Sequence, residues 1–153
     1  MKLETLDDIK NLITSDTETD NIEFKETTGQ LERGMETLCA FLNGEGGTVL
    51  FGVTDKGKIA GQDIADTTKR TIAEAINRLE PSVNVQISYV PIPDCEKKVI
   101  AFNVENSRME RPFCYKGRPY IRLESVTTTM SQSQYNELLL QRDGGKHRWE
   151  QFD

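Results

Sequence analysis

Histidine is almost missing from these 153 residues: His147 stands alone, near the end of the chain. The three cysteines, Cys39, Cys95 and Cys114, are widely spaced and form no C-x-x-C pair. That excludes a zinc site of ordinary spacing and a disulfide framework, and it fits a reducing cytoplasm. No apolar run reaches the length of a membrane span. Met1-Lys2-Leu3-Glu4 opens an acidic amphipathic segment, not a secretory signal. No serine sits in a G-x-S-x-G setting and no G-x-G-x-x-G occurs, so serine-hydrolase and Rossmann chemistry find no support. Internal repeats and low-complexity tracts are absent too.

A nucleotide-binding P-loop is excluded less directly. Gly52-Val-Thr-Asp-Lys-Gly57-Lys58 matches the first seven positions of G-x-x-x-x-G-K-[ST]. The eighth is Ile59, which has no hydroxyl for magnesium. The glycines also read as strand–turn–strand, where a phosphate loop needs a helix N-terminus after it. A hairpin turn accounts for the segment.

What is present is the composition of one soluble domain, with 29% charged and 36% hydrophobic residues. The net charge is −6, the wrong sign for a generic nucleic-acid binder. The charge is unevenly placed, however. Residues 1–32 carry nine acids against Lys2, Lys10 and Lys25, while residues 108–122 hold Arg108, Arg111, Lys116, Arg118 and Arg122 against Glu110 alone. A basic strip on an acidic domain can contact phosphates, because binding follows the local potential. A solvated hairpin is the plain alternative.

Periodicity predicts helices over 4–14, 31–43, 64–79 and 132–142. Strands are expected at 22–25 and 49–53, and again at 83–91 and 97–105. A late hairpin runs through 112–115 and 119–123 around Lys116-Gly117. Val49, Leu50, Phe51 and Val53 are apolar on both faces, which marks a central strand. The fold class expected is α+β, a mixed β-sheet with flanking helices. Residues 1–143 make the domain and 144–153 a tail, or the start of a linker to a further C-terminal region. Trp149 and Phe152 in that tail suit a chain that continues.

Three acids stand where chemistry is conceivable. Glu18, Glu23 and Asp55, gathered at a sheet edge, could hold Mg²⁺ or Mn²⁺ and promote phosphodiester cleavage. The plain alternative is that Glu23 pairs with Lys25 on one face of a strand and Asp55 caps a turn. Gly44, Gly46 and Gly47 suit a helix cap and tight turn, and equally a close approach of phosphate to main-chain amides. Phe113, Tyr115 and Tyr120 interleave with Arg122 on the late hairpin, a surface suited to stacking and phosphate contact.

Glu18-x4-Glu23-Phe24-Lys25, then Ala40-Phe41-Leu42-Asn43-x3-Gly47-Thr-Val-Leu-Phe-Gly52-Val53-x-Asp55-x-Gly57-x-Ile59-x-Gly61, resembles the Schlafen AlbA_2 family. The later Pro112-Phe-Cys-Tyr115-Lys-Gly117-x-x-Tyr120-Ile-Arg122-x-x-Ser125 is similar to that family's second motif, with Glu124 where glycine is commonest. The resemblance spans roughly residues 10–142. It implies an Alba-like domain that binds nucleic acid, DNA more than RNA, in bacterial transcriptional regulators. Such regulators carry a C-terminal helix-turn-helix or ATPase-like region. It also implies, through Schlafens that cleave structured RNA, a catalytic role for acids at Glu18, Glu23 and Asp55.

Two functional expectations from different classes follow, with a third beside them. The first is a cytoplasmic DNA-binding module with no cofactor and no membrane partner. Its phosphate contacts would be Arg111, Lys116, Arg118 and Arg122, with Lys25, Gly46 and Gly47 as a second surface. The second is a Mg²⁺- or Mn²⁺-dependent nuclease, whose single lobe would form a clamp by homodimerising. The third is a scaffold or dimerisation domain that touches no nucleic acid.

Overall fold

The computed structural model describes residues 3–16 and 21–151, with side chains over 3–14 and 21–143. Helix α1 (Leu6–Asp16) is opened by a reciprocal cap. Asp8 Oδ2 accepts from the Glu4 and Thr5 amides at 3.0 Å each, and Asp8 N donates to Thr5 Oγ1. Those backbone bonds, Glu4 first, hold the Asp8 carboxyl below its usual range.

Strand β1 (Ile22–Lys25) leads through a 3₁₀ turn (Thr28–Gln30) into helix α2 (Leu31–Leu42) and strand β2 (Gly46–Phe51). Helix α3 (Asp66–Ile76) and the two-residue strand β3 (Leu79–Glu80) follow, and then β4 (Gln86–Pro91) and β5 (Lys98–Glu105). The main sheet has the order β1-β2-β5-β4, with β1 parallel to β2 and the other neighbours antiparallel. The architecture is α+β with a mixed sheet. The run Val49–Phe51 lies inside that sheet and is fully buried on both faces.

Side-chain alternation along the strands divides the core into two layers. Ile22, Leu50, Val99 and Ala101 face α1, packing with Leu3, Ile9 and Leu12. Val49, Phe51, Ile100 and Phe102 face α2 and α3, meeting Met35, Leu38, Ile72 and Ala75. Phe51 and Phe102 pack edge to face at 5.1 Å.

The second half of the fold covers the outer side of α2. Strand β6 (Cys114–Tyr115) pairs with β3, and β7 (Tyr120–Leu123) pairs with β8 (Val126–Thr129). Phe113 and Tyr115 join the core around α2. Nine of the twelve residues of α2 are therefore buried, so this helix is apolar nearly all round rather than along one stripe. Helix α4 (Gln132–Gln151) closes the chain.

Four sequence expectations are corrected. The third helix ends at Ile76, and Leu79, which keeps the helical spacing, pairs instead with Tyr115 across β3–β6. The turn at Lys116-Gly117 closes a single bridge, Tyr115 to Arg118, and the longer hairpin is β7–β8. The hairpin expected within Gly52 to Ile59 is also reduced to one bridge, Val53 to Ile59. Helix α4 runs through Gly144 and Gly145 instead of stopping before them. The side chains of Trp149 and His147, and all of Phe152, lie outside the described residues.

Candidate nucleic-acid interface

The basic residues of the late segment are set by a tight left-handed turn. Lys116 and Gly117 have φ of 51° and 79°. Tyr115 and Arg118 exchange both backbone bonds, at 2.8 and 3.1 Å. Two consecutive positive φ values reverse the chain with the right-handed twist that short hairpins need. Tyr115, Lys116, Arg118, Tyr120 and Arg122 thereby form one row along the outer side of α2.

A row of acids meets them. Glu32 and Glu36, one turn apart on α2, accept from the Tyr115 and Tyr120 hydroxyls at 2.9 and 3.4 Å. Lys116 Nζ lies 2.7 Å from Glu32 Oε2, and Arg122 Nη2 lies 2.7 Å from Glu23 Oε2. Arg122 also donates to Thr127 Oγ1 at 3.0 Å, with its guanidinium 5.4 Å over the Phe41 ring. The two ion pairs differ in depth. The Arg122 side chain is 9% exposed and that of Lys116 48%.

These contacts move the titrating groups. Burial works against the Glu32 carboxylate, but hydrogen bonds from Lys116 and Tyr115 outweigh it and set Glu32 below its usual range. Burial, reinforced by the hydrogen bond to Glu32, pushes the Tyr115 phenol well up. Burial and the nearby Glu36 raise Tyr120.

Asn43 fixes the row to the helix, a role that sequence reasoning missed. As the C-cap residue of α2 it is 7% exposed. Its Nδ2 donates to Phe113 O at 2.9 Å and Tyr120 O at 2.8 Å, and its Oδ1 accepts from Phe113 N at 2.7 Å. One carboxamide thus satisfies three backbone groups of the segment entering β6 and β7. Arg111 Nη1 donates to Asn43 O at 3.3 Å, so this half-buried arginine serves the helix end. The sequence marks Asn43-Gly44 as the C-terminal cap of this helix, which the structure bears out, but gives no sign of the side chain's three bonds.

Among the other predicted residues, Glu23 and Lys25 share the α2 side of β1, with Lys25 Nζ 3.7 Å from Glu23 Oε1. Both Glu23 oxygens therefore face cations. Asp55 lies in a turn closed by Thr54 N to Lys58 O at 2.9 Å. A Cβ on Gly57 of that turn would sit 3.2 Å from Ile13, so the turn leans toward α1, on the other side of the sheet from Glu23. Glu18 lies outside the described residues. Among the described residues, no three His, Cys, Asp or Glu side chains group to hold a metal ion.

Gly46 and Gly47 are explained by packing. A Cβ on Gly46, where φ is +88°, would come 2.7 Å from Val104 O, and one on Gly47 would come 2.7 Å from the Phe41 ring. Both glycines admit the neighbouring strand and helix at close range.

A model of the family described as "Schlafen, AlbA_2" matches residues 18–131. No curated protein matches the chain. Several solved structures share the fold, two of which illustrate it. One is the N-terminal domain of a RecG-related protein from Nitrosomonas europaea, with 20% identity and a TM-score of 0.58, covering 85% of this chain and 94% of that one. The other is the DIP2311 protein from Corynebacterium diphtheriae, with 17% identity and a TM-score of 0.54 over 80% of this chain. This chain spans about a quarter of that protein, 24% of its length. Among the described residues no helix is long and apolar enough to cross a membrane.

Proposed function

This chain belongs to the Schlafen AlbA_2 family, and from that premise we propose that it is a nucleic-acid-binding module of a bacterial transcriptional regulator, with DNA the preferred strand. The observation that carries the reading is the pair of exposed cations Lys116 and Arg118 beside the half-buried Tyr120, on a segment tied to α2 by Asn43. Exposed cations suit contact with phosphates, and Tyr120 is the ring of the row open to a base, since Tyr115 is 2% exposed and belongs to the core. The Nitrosomonas neighbour, described as related to an ATP-dependent DNA helicase, supports a nucleic-acid context.

Within the row, roles divide by exposure. Lys116 and Arg118 are exposed and offer the phosphate contacts. Lys116 exchanges its Glu32 carboxylate for a phosphate at little cost, because an exposed ion pair is worth under about 1 kcal/mol. Arg122 is buried against Glu23 and Phe41 and acts as the anchor beneath them. Fluorescence anisotropy with duplex and single-stranded DNA at low salt tests the reading. Weaker binding by Lys116→Ala and Arg118→Ala, at unchanged Tm, is the expected result. Indifference to both substitutions would overturn it.

A further inference from the structure

The face of the sheet that packs on α1 changes character along its length. Leu50, Val99 and Ala101 lie under the helix. Farther along the same face come Thr48 on β2 and then Asn103 and Glu105 on β5, where Gly46 stands opposite Glu105 and presents no side chain. The opening left there is a cavity of about 240 Å³, lined by Gly46, Thr48, Asn103, Glu105 and Glu45 among others. Whole-ligand sites run to roughly 300–1,000 Å³, so this one has the size for a single planar group.

Its floor is polar and built. Thr48 and Asn103 are 2% and 9% exposed. Thr48 Oγ1 donates to Asn103 Oδ1 at 2.7 Å, which fixes the carboxamide. Among the described residues the Asn103 amide nitrogen has no protein partner, and it is not sealed from the cavity. The residue is buried but its amide nitrogen opens into the cavity, so this donor is fixed in place and accessible to a ligand acceptor. Two residues on, about 7 Å along the strand, the exposed Glu105 carboxylate supplies acceptors. Glu45, at the rim, is already held by Arg108 at 2.7 and 2.8 Å.

We propose that this cavity binds an unpaired guanine base, with Asn103 Nδ2 donating to the base carbonyl and the Glu105 carboxylate accepting from its ring N–H and exocyclic amine. Guanine is the one common base with an acceptor beside two adjacent donors, so it satisfies the amide and both carboxylate oxygens. Adenine and cytosine offer the carboxylate one donor there. Uracil and thymine turn a second carbonyl toward it. The site is on the α1 side of the sheet, whereas the cationic row lies beyond α2, so it extends the nucleic-acid reading above and is separable from it. The same chemistry comes from a free nucleotide or from a base turned out of a strand.

The test has two arms, run on the whole chain. In the first, GMP, IMP, AMP, CMP and UMP are titrated and followed by amide NMR shifts of Thr48, Asn103 and Glu105. In the second, a single-stranded oligonucleotide with one guanine is compared with its inosine and adenine counterparts by anisotropy. Inosine lacks only the exocyclic amine. Guanine is expected to win over inosine and adenine by about tenfold, the scale of one good bidentate contact. The preference should vanish in Glu105→Gln, an exposed change, and in Asn103→Leu, with melting curves confirming the fold. Equal responses to GMP and IMP, or a preference that survives both variants, would overturn the proposal. Oligonucleotide binding blind to base identity would do so while leaving the cationic row intact. A guanine-specific response to GMP with no oligonucleotide bound would uphold the cavity and sink the nucleic-acid reading.

Discussion

Arg122 Nη2 meets Glu23 Oε2 at 2.7 Å, tying the β7–β8 hairpin to the edge strand β1. From the sequence, Arg122 is expected as a phosphate contact and Glu23, under the nuclease alternative alone, as a metal ligand. In the fold they are each other's partner, and the arginine is the more enclosed of the two, at 9% against 23% exposed.

That pairing predicts a stability effect. Removing one partner of a buried pair costs about 3–5 kcal/mol, and partial solvation of Glu23 trims this to roughly 2–3 kcal/mol for Arg122→Ala. For a chain of this size the drop in Tm is about 5–10 °C. A double-mutant cycle with Glu23→Gln should show strong coupling. Independent, additive effects would mean the two side chains do not act as a pair.

Binding should separate from stability at Arg118. If Arg118 contacts one phosphate, Arg118→Ala lowers the slope of log K against log salt by about 0.7–0.9, depending on strand type. Its exposed side chain predicts a stability change within about 0.5 kcal/mol of zero. Measuring K at several salt concentrations checks this. An unchanged slope would remove Arg118 from the contact set.

Asn43→Ala should be more damaging than any substitution in the basic row. It strands Phe113 N, takes the carboxamide from Tyr120 O, and leaves Phe113 O with the weak Cys39 thiol donor at 3.4 Å. At about 1–3 kcal/mol for each orphaned group, the loss is about 3 kcal/mol or greater. Asn43→Asp should fail as well, since two carbonyl oxygens would then face a carboxylate. Urea unfolding with an unchanged m value but a much lower midpoint is the expected signature.

How much of this was legible in the sequence depends on range. The central strand could be read because Val49, Leu50, Phe51 and Val53 are apolar on both faces. The Glu23–Lys25 pair could be read because alternation puts both on one face. Leu79 was misread because it keeps the spacing of Ile72, Ala75 and Ile76 after the helix has ended, and only its partner Tyr115 reveals a strand. The acids of α2 could not be matched to the basic row, because Glu32 and Tyr115 meet across a long stretch of chain. The same holds for Asn103, whose partner Thr48 lies on another strand.

The acid limb of stability should report on Glu32. Its pKa in the folded protein is below the ordinary value of 4.5, so its contribution is complete above that value and disappears as pH falls through the lowered one. Glu32→Gln should therefore lose stability at neutral pH and converge with the parent in acid. The difference is small, under about 1 kcal/mol, because the side chain is 53% exposed. Parallel Tm–pH curves would show that the contacts with Lys116 and Tyr115 contribute nothing.

Thiol labelling should distinguish the three cysteines. Cys95 is exposed, whereas Cys39 and Cys114 are buried. Burial pushes Cys39 up to about 12 and also raises Cys114. Iodoacetamide at neutral pH should then add one group to the native protein and three after denaturation, read by intact mass. Rapid labelling of Cys39 in the native state would contradict the packing of α2 against Phe113.

The turn between β7 and β8 carries its own prediction. Glu124 and Ser125 have φ of 47° and 67°, so two side-chain-bearing residues occupy the left-handed region where hairpins favour glycine. That conformation costs an ordinary residue about 1 kcal/mol or more. A glycine returns part of the gain through the greater freedom of its unfolded chain. Glu124→Gly should therefore stabilise the protein by roughly 0.5–1 kcal/mol, a rise in Tm of about 2–4 °C. Glu124→Ala is the control, since it removes the same exposed carboxylate without relieving the backbone. A gain in the glycine variant alone locates the strain at this turn, and equal behaviour of the two would place the effect in the charge instead.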